Sequence, residues 1–385
     1  MNKAPTNNTN KTESETFKEI NAQPRLWLET FSIIKSEAKA LQQFLGKALR
    51  HEDLKIILAG AGTSAYIGEV LSKSFQRNTG RMSEAIATTD LIVQAEDFLN
   101  KQQPTLLVSF ARSGQSPESY AAVELAENYC DTIYHVIIAC NPEGKLVKDT
   151  KLKQSYVLLM PKEAHDKALA MTGSFTTMLL AGLLISDLDN LDKNKQYVDN
   201  LVGYGKKILS NYSKRIHEVA QLNFDRIVFL GSGILKSIAR ESQLKVQELT
   251  DGQVIGKYDS FLGLRHGPKV VIKNSTVVVY IFSNDDFINK YEYDLVRSIN
   301  SQEEKLYEIG IAENIKCKKE INLNLSIEVG DSGTIPEEYF AVCAVLPGQL
   351  LGLYKSINLG LSPDTPSRNN AINRVVEGVN IYKQE

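Results

Sequence analysis

Residues 104–119 read Pro-Thr-Leu-Leu-Val-Ser-Phe-Ala-Arg-Ser-Gly-Gln-Ser-Pro-Glu-Ser, and they carry the densest set of groups able to grip an anion. Leu106, Leu107, Val108 and Phe110 predict a short buried strand. Ala111 to Ser116 then form a loop of small residues, and Pro117 stands where a helix begins its first turn. A strand running through small hydroxylated residues into a helix gathers backbone N–H groups, hydroxyls and the positive end of the helix dipole at one point. That point suits a phosphate. Arg112 adds a guanidinium, which can hold a phosphate through two parallel hydrogen bonds. The plainer alternative is an ordinary strand-to-helix turn capped by Ser113 or Ser116.

Three other places could carry chemistry. Gly60-Ala-Gly-Thr-Ser64 follows the apolar run Lys55–Ala59 and opens a helix. Ala65, three residues after Gly62, keeps a dinucleotide-binding reading alive on pattern, but only Glu84 offers the acidic residue expected about 20 residues on. Glu248 lies in the run Gln243-Leu-Lys-Val-Gln-Glu-Leu-Thr; by default such a glutamate is solvated or paired with Lys245 or another base. His266, in Gly263-Leu-Arg-His-Gly-Pro268, sits in a rigid irregular loop. A lone histidine there is commonly structural, yet its ring can move protons near neutral pH. The C-terminal Leu361-Ser-Pro-Asp-Thr-Pro-Ser-Arg-Asn-Asn excludes a helix by its two prolines and predicts a segment laid over the surface, with Arg368 either solvated or on an anion.

The elements that must position these groups come in two copies. A helix is expected over 16–50, with Pro24 breaking it or starting a segment near the front. The strand and glycine turn at 55–62 is followed by a strand at 105–110, a helix at 117–129, strands at 135–139 and 156–160, and a helix at 172–187. The layout restarts at Ile227-Val-Phe-Leu-Gly-Ser-Gly, then a helix from Leu235 to Thr250. Gly231 stands 171 residues after Gly60, and the same offset carries Val108 onto Val279, inside a second apolar run. Alternating strands and helices imply an α/β fold with parallel sheets covered on both faces. In the second copy the loop after the middle strand reads Ser283-Asn-Asp-Asp, whose aspartates would repel a phosphate. Only the first copy is expected to keep the anion site. A polar linker is expected near 188–205.

The 385 residues, 43 % hydrophobic and 23 % charged, suit roughly two globular domains. A net charge of −2 argues against nucleic acid or an anionic membrane surface as partner. No uninterrupted apolar run is long enough to span a bilayer. Cys130, Cys140, Cys317 and Cys343 lack metal or redox spacing, and Cys140 and Cys343 are expected as buried thiols. The other histidines (His51, His135, His165, His217) suggest no metal site. Residues 1–15 begin without an apolar block and read as a disordered tail, so a cytoplasmic protein is expected.

Taken together, the Ala111–Ser116 loop, the Ala-Gly-Thr-Ser turn at 61–64, Glu248 and Arg265-His-Gly-Pro resemble the sugar isomerase (SIS) family. The two copies resemble tandem SIS domains, as in the isomerase half of glucosamine-6-phosphate synthase. Thr16-Phe-Lys-Glu-Ile-Asn-Ala-Gln-Pro-Arg-Leu-Trp, Leu169-Ala-Met-Thr-Gly-Ser-Phe and Leu346-Pro-Gly-Gln-Leu-Leu-Gly-Leu-Tyr are similar to its AgaS branch. Members of that branch are described as galactosamine-6-phosphate deaminase/isomerases or tagatose-6-phosphate ketose/aldose isomerases.

The resemblance implies two flavodoxin-like three-layer αβα domains: 51–195, binding phosphate, and 205–360, carrying the catalytic groups, with 361–385 as a tail over the active site. It implies phosphate binding by Ser64, Ser113 and Ser116. Ala111 and Arg112 replace a serine and a glutamine of the synthase loop, so a hydroxyl is lost and a cation gained. Gly62, Thr63, Thr172 and Arg368 are further implied substrate contacts. Glu248 falls on the catalytic glutamate and His266 on the ring-opening histidine, which in the family reaches across a dimer interface. Ile372 stands where the synthase has a lysine, so a Schiff base from that position is not available. The chemistry implied is ring opening by His266 and proton transfer between C2 and C1 by Glu248, without metal or redox cofactor. An amine at C2 leads to deamination, a hydroxyl to plain isomerisation. The remaining alternative is a sugar-phosphate sensor without turnover.

Overall fold

The computed structural model describes residues 14–148, 152–331, 333–376 and 378–382. The tail expected over 1–15 lies mostly outside them. Ser14 and Glu15 are described, as the cap and first residue of helix α1 (Glu15–Leu49).

The elements that follow are β1 (Lys55–Gly60), α2 (Thr63–Thr79), β2 (Met82–Ala87), β3 (Thr105–Ala111), α3 (Pro117–Tyr129), β4 (Ile133–Ala139), β5 (Ser155–Leu159), α4 (Gly173–Ser186) and α5 (Leu191–Lys207). The second half brings α6 (Ser213–Ala220), β6 (Arg226–Gly231), α7 (Leu235–Leu249), β7 (Ile255–Asp259), β8 (Thr276–Ile281) and α8 (Asp286–Asn300). The chain then runs through β9 (Tyr307–Ala312), β10 (Leu325–Glu328), α9 (Glu337–Ala344) and α10 (Leu346–Asn358). The sheets run β2-β1-β3-β4-β5 and β7-β6-β8-β9-β10, all parallel. Both orders are the 2-1-3-4-5 of a flavodoxin-like domain, so the tandem α/β reading is correct.

β1 and β6 share length and the 171-residue offset, as do the starts of β3 and β8. Each glycine ending the first strand is sterically required. A Cβ on Gly60 would lie 2.5 Å from the Ser64 carbonyl carbon, and one on Gly231 would lie 2.3 Å from the Leu235 oxygen. The inner faces of the two sheets share one continuous core with α1, α2, α4, α7 and α10, while α3 and α8 cover separate outer clusters.

Two expectations change. Pro24 neither breaks nor starts α1 but lies inside it. Its missing N–H would leave the Ile20 carbonyl unpaired, and Gln23 Nε2 donates to that oxygen instead, at 3.3 Å. The stretch 188–205 is helix, not an irregular linker: α5 buries Leu191, Asn194, Val198, Leu201 and Val202 on one face. It continues through a π-helical turn, Ile208–Tyr212, into α6. The run Glu337–Asn358 is apolar and long enough to cross a membrane, but 94 % of its most apolar stretch is buried inside this fold.

Candidate active site

At the carboxyl ends of β1 and β3, where the strand order reverses, a cavity of about 580 Å³ opens. That is where ligands bind in doubly wound sheets. The first domain contributes Ala61, Gly62, Thr63 and Ser64 from the turn before α2, and Phe110 to Ser116 (without Gln115) from the loop before α3. Leu169 and Met171 come from the segment before α4, Lys245 and Glu248 from α7, and residues 370–376 close the remaining side. The loop Ala111–Ser116 and the helical glutamate therefore share one enclosure, about large enough for a sugar phosphate.

Local folding explains the loop. Gly114 has φ +63°, a left-handed conformation that suits glycine, and a Cβ there would approach the Gly144 Cα to 3.2 Å. Ser113 Oγ accepts from the Gln115 N–H at 3.2 Å, and Ser116 Oγ donates to Glu118 Oε2 at 2.5 Å. Neither hydroxyl caps α3, and α2 likewise begins at Gly62 with no side-chain cap. Both helices thus present their positive ends to the cavity.

Arg112 is 8 % exposed and already engaged. Its Nη1 donates to the carbonyls of Leu169 (2.7 Å) and Ala168 (3.4 Å), and its Nη2 to the carbonyl of Arg374. Burial lowers its pKa, with Asp166 opposing and Arg374 reinforcing that shift. Arg112 therefore ties three walls of the cavity together. Arg374 in turn donates to the Asp166 carbonyl, from Nε at 2.9 Å, fastening the C-terminal segment over the site.

Asp166 fixes this corner. Fully buried, it accepts the N–H groups of Thr172 (2.8 Å), Gly173 (3.1 Å) and Ser174 (2.9 Å) at the start of α4, together with the Thr172 and Ser174 hydroxyls. Thr172 thus spends its N–H and hydroxyl on Asp166 and does not line the cavity. Arg368 does not reach it either: this exposed side chain donates to the Leu359 carbonyl at 3.4 Å. His266 is exposed in its loop and lies outside the cavity of its own chain. Ile372 lines the cavity, where it offers no amine.

The residue that sequence reasoning left as a mere partner is Lys245. Its Nζ donates to Glu248 Oε2 at 2.6 Å and to Thr63 Oγ1 at 3.0 Å, and Glu241 Oε1 lies 3.4 Å away. Burial pulls the Lys245 pKa down, but Glu241 and Glu248 raise it by more, so it stays charged. The spacing of Glu241, Lys245 and Glu248, at i, i+4 and i+7 on one helix face, was the available signal.

The dinucleotide reading fails on geometry. Glu84 lies mid-strand in β2, 3.4 Å from Lys55 Nζ, and the strand ends at Ala87, where no carboxylate stands to meet a ribose. Among the described residues no cluster of His, Cys, Asp or Glu could hold a metal ion.

A SIS domain model matches residues 48–186. The chain is 39 % identical over 371 residues to the D-galactosamine-6-phosphate deaminase AgaS of Shewanella sp. (strain ANA-3), covering 95 % of this chain and 91 % of that one. The crystal structure of tagatose-6-phosphate ketose/aldose isomerase from Escherichia coli is 35 % identical and superposes with a TM-score of 0.88, over 97 % of each chain. Glucosamine-6-phosphate deaminase from Thermotoga maritima, 23 % identical, shares the fold with a TM-score of 0.70 over 94 % of this chain and 99 % of that one. The tandem layout, the cavity at the first switch point and these likenesses agree: the chain belongs to the AgaS family of SIS-domain proteins.

Proposed function

We propose that this protein is a galactosamine-6-phosphate deaminase/isomerase, converting D-galactosamine 6-phosphate and water to D-tagatose 6-phosphate and ammonia. The observation that carries this reading is the shared cavity, with Ser64, Arg112, Ser113 and Ser116 of one domain facing Glu248 of the other. The relatives named as D-galactosamine-6-phosphate deaminases support it.

The phosphate sits on the hydroxyls and helix ends of the first domain and orients C1 and C2 toward α7. In the open chain, Glu248 takes the proton from C2 and the electrons shift to the C1 aldehyde, giving an enolamine. Return of that proton to C1 leaves a C1 alcohol and a C2 ketimine. Water adds to the ketimine carbon, and the carbinolamine expels ammonia to leave the ketose. Lys245 fixes the Glu248 rotamer and supplies positive charge where negative charge develops on the substrate oxygen. With a hydroxyl at C2 the same proton transfer gives an aldose/ketose isomerisation, the activity named for the Escherichia coli relative.

Ring opening needs a proton shuttle besides Glu248, and among the described residues no histidine lines this cavity. His266 supplies it from a second copy of the chain, which makes the enzyme a homodimer or higher oligomer with sites shared between subunits. The exposed apolar side chains Leu262, Val270, Phe287 and Tyr291, on the segment around His266 and on α8, supply a surface that such a partner would cover. Free, mostly buried cysteines suit a cytoplasmic setting.

The test is ammonia release from galactosamine and glucosamine 6-phosphates side by side. Glu248→Gln is expected to bind the sugar phosphate but to lose about 10²–10⁴-fold in kcat. Absence of ammonia from either substrate with the wild type would refute the reading, and tight binding without turnover of any hexose phosphate would mark a sensor.

A further inference from the structure

Helix α7 turns Glu241, Lys245 and Glu248 toward the first domain, beside Arg240, which pairs with Glu69 and lies over the Tyr66 ring of α2. Glu241 lies at the buried end, Glu248 at the cavity, and the Lys245 ammonium between them, 3.4 Å from the first and 2.6 Å from the second. Glu241 is wholly buried, and neither of its oxygens accepts an aligned hydrogen bond. Thr63 and Tyr66 on α2 face it, the Arg112 charge acts on Lys245, and α10 meets α7 through Gly348 and Gly352. A carboxyl so placed is a poor packing element, because an apolar side chain of that volume would fill the space at lower cost.

We propose that Glu241 is a positioning residue: it shares the Lys245 ammonium with Glu248 and thereby sets how firmly that ammonium grips the carboxylate that works on the substrate. The proposal deepens the reading of Glu248 as the base and rests on it. Burial pushes the Glu241 pKa up to about 8 against the pull of Lys245. Below that pH, Glu241 keeps its proton and the ammonium faces one carboxylate. Above it, Glu241 releases the proton to solvent and competes for the ammonium, loosening its hold on Glu248. A less firmly held carboxylate is the stronger base.

Glu241→Gln keeps the shape and removes the ionisation. In the wild type kcat is expected to change about threefold or more between pH 7 and 9, and in E241Q it is not, while KM stays within about twofold in both because the phosphate is held elsewhere. A packing role alone would lower stability and leave the two pH profiles superimposed. A second readout needs no turnover: the unfolding equilibrium constants of wild type, E241Q, E248Q and the double variant. Independent residues give effects that multiply, whereas two carboxylates on one ammonium depart from that by about tenfold. Superimposed pH profiles, or effects that multiply, overturn the proposal. If the wild type releases no ammonia, the functional reading fails and the stability cycle alone decides the sharing. Should E241Q not fold, Glu241→Met takes its place in the same cycle.

Discussion

Glu19, on the first turns of α1, gives a pH-dependent stability whose sign and size follow from its surroundings. Its side chain is buried, and its Oε1 accepts from the N–H groups of Lys167 (2.5 Å) and Ala168 (3.3 Å). Burial first, then the charges of Asp166 and Asp364, raise its pKa from an ordinary 4.5 to about 7, against the pull of those two N–H groups. The folded protein thus holds this proton more tightly than the unfolded chain does. The stability it contributes is full below about pH 4.5 and is lost as pH rises through 7. At about 1.4 kcal/mol per tenfold difference in affinity, the loss is under about 1 kcal/mol at pH 5 and about 3 kcal/mol at pH 8. Glu19→Gln keeps an acceptor for both N–H groups and carries no charge, so it should stabilise the protein at pH 8 by about 2 kcal/mol more than at pH 5. Urea unfolding followed by the fluorescence of Trp27, the one tryptophan and fully buried, reads this directly. A stability difference between the two proteins that does not grow with pH would refute the assignment of a raised pKa to Glu19.

Two further outcomes follow from the same corner. Asp166→Ala leaves the N–H groups of Thr172, Gly173 and Ser174 without their acceptor in a dry site and should cost about 3–5 kcal/mol in the same unfolding assay; a loss below about 1 kcal/mol would show that water replaces the carboxylate. Arg374→Ala removes the tie between the C-terminal segment and the Asp166 carbonyl, so KM for the sugar phosphate should rise about tenfold with global stability little changed. An unchanged KM would mean that the segment closes the cavity without that tie.

The glycine turns and the repeat were legible because their causes are local. A strand that must turn within two residues into a helix needs Gly60 and Gly231, and parallel strands covered on both faces read as unbroken apolar runs. The elements that escaped are half-exposed. Edge strands β2 (Met-Ser-Glu-Ala-Ile-Ala) and β7 (Ile-Gly-Lys-Tyr-Asp) carry polar side chains along an open flank, and α5 is polar on average although its buried residues recur at helical spacing. Site residues divide the same way. Ser64, Ser113 and Ser116 belong to local turns, while Thr172 was misplaced because its partner is Asp166, whose role depends on a tertiary fold. Lys245 reads in the sequence only as a possible partner of Glu248, since nothing local announces that α2 will cover it. His266 cannot be placed by one chain if its target lies in another.

The duplication explains why one site suffices. Helices α2 and α7 cross in opposite directions, with Thr63 against Lys245 and Glu69 paired with Arg240. Glu69 and Arg240 stand 171 residues apart, so equivalent positions of the two copies touch at the crossing. A second site related by that symmetry would carry Arg77 in place of Glu248 and Ser74 in place of Lys245, with Ser283 and Asn284 in place of Arg112 and Ser113. Arg77 is instead paired with Glu338. The Ser283 loop is filled by the protein's own carboxyls: Glu337 accepts from Ser283 Oγ (2.8 Å), Glu292 from the Ser283 N–H (3.1 Å), and Asp285 caps α8. An anionic ligand would meet like charge at the helix end that, in the first copy, faces an open cavity. One copy therefore keeps an open helix end and the other the carboxylate that faces it, and the sequence changes that close the second loop leave the antiparallel crossing, and so the first cavity, intact.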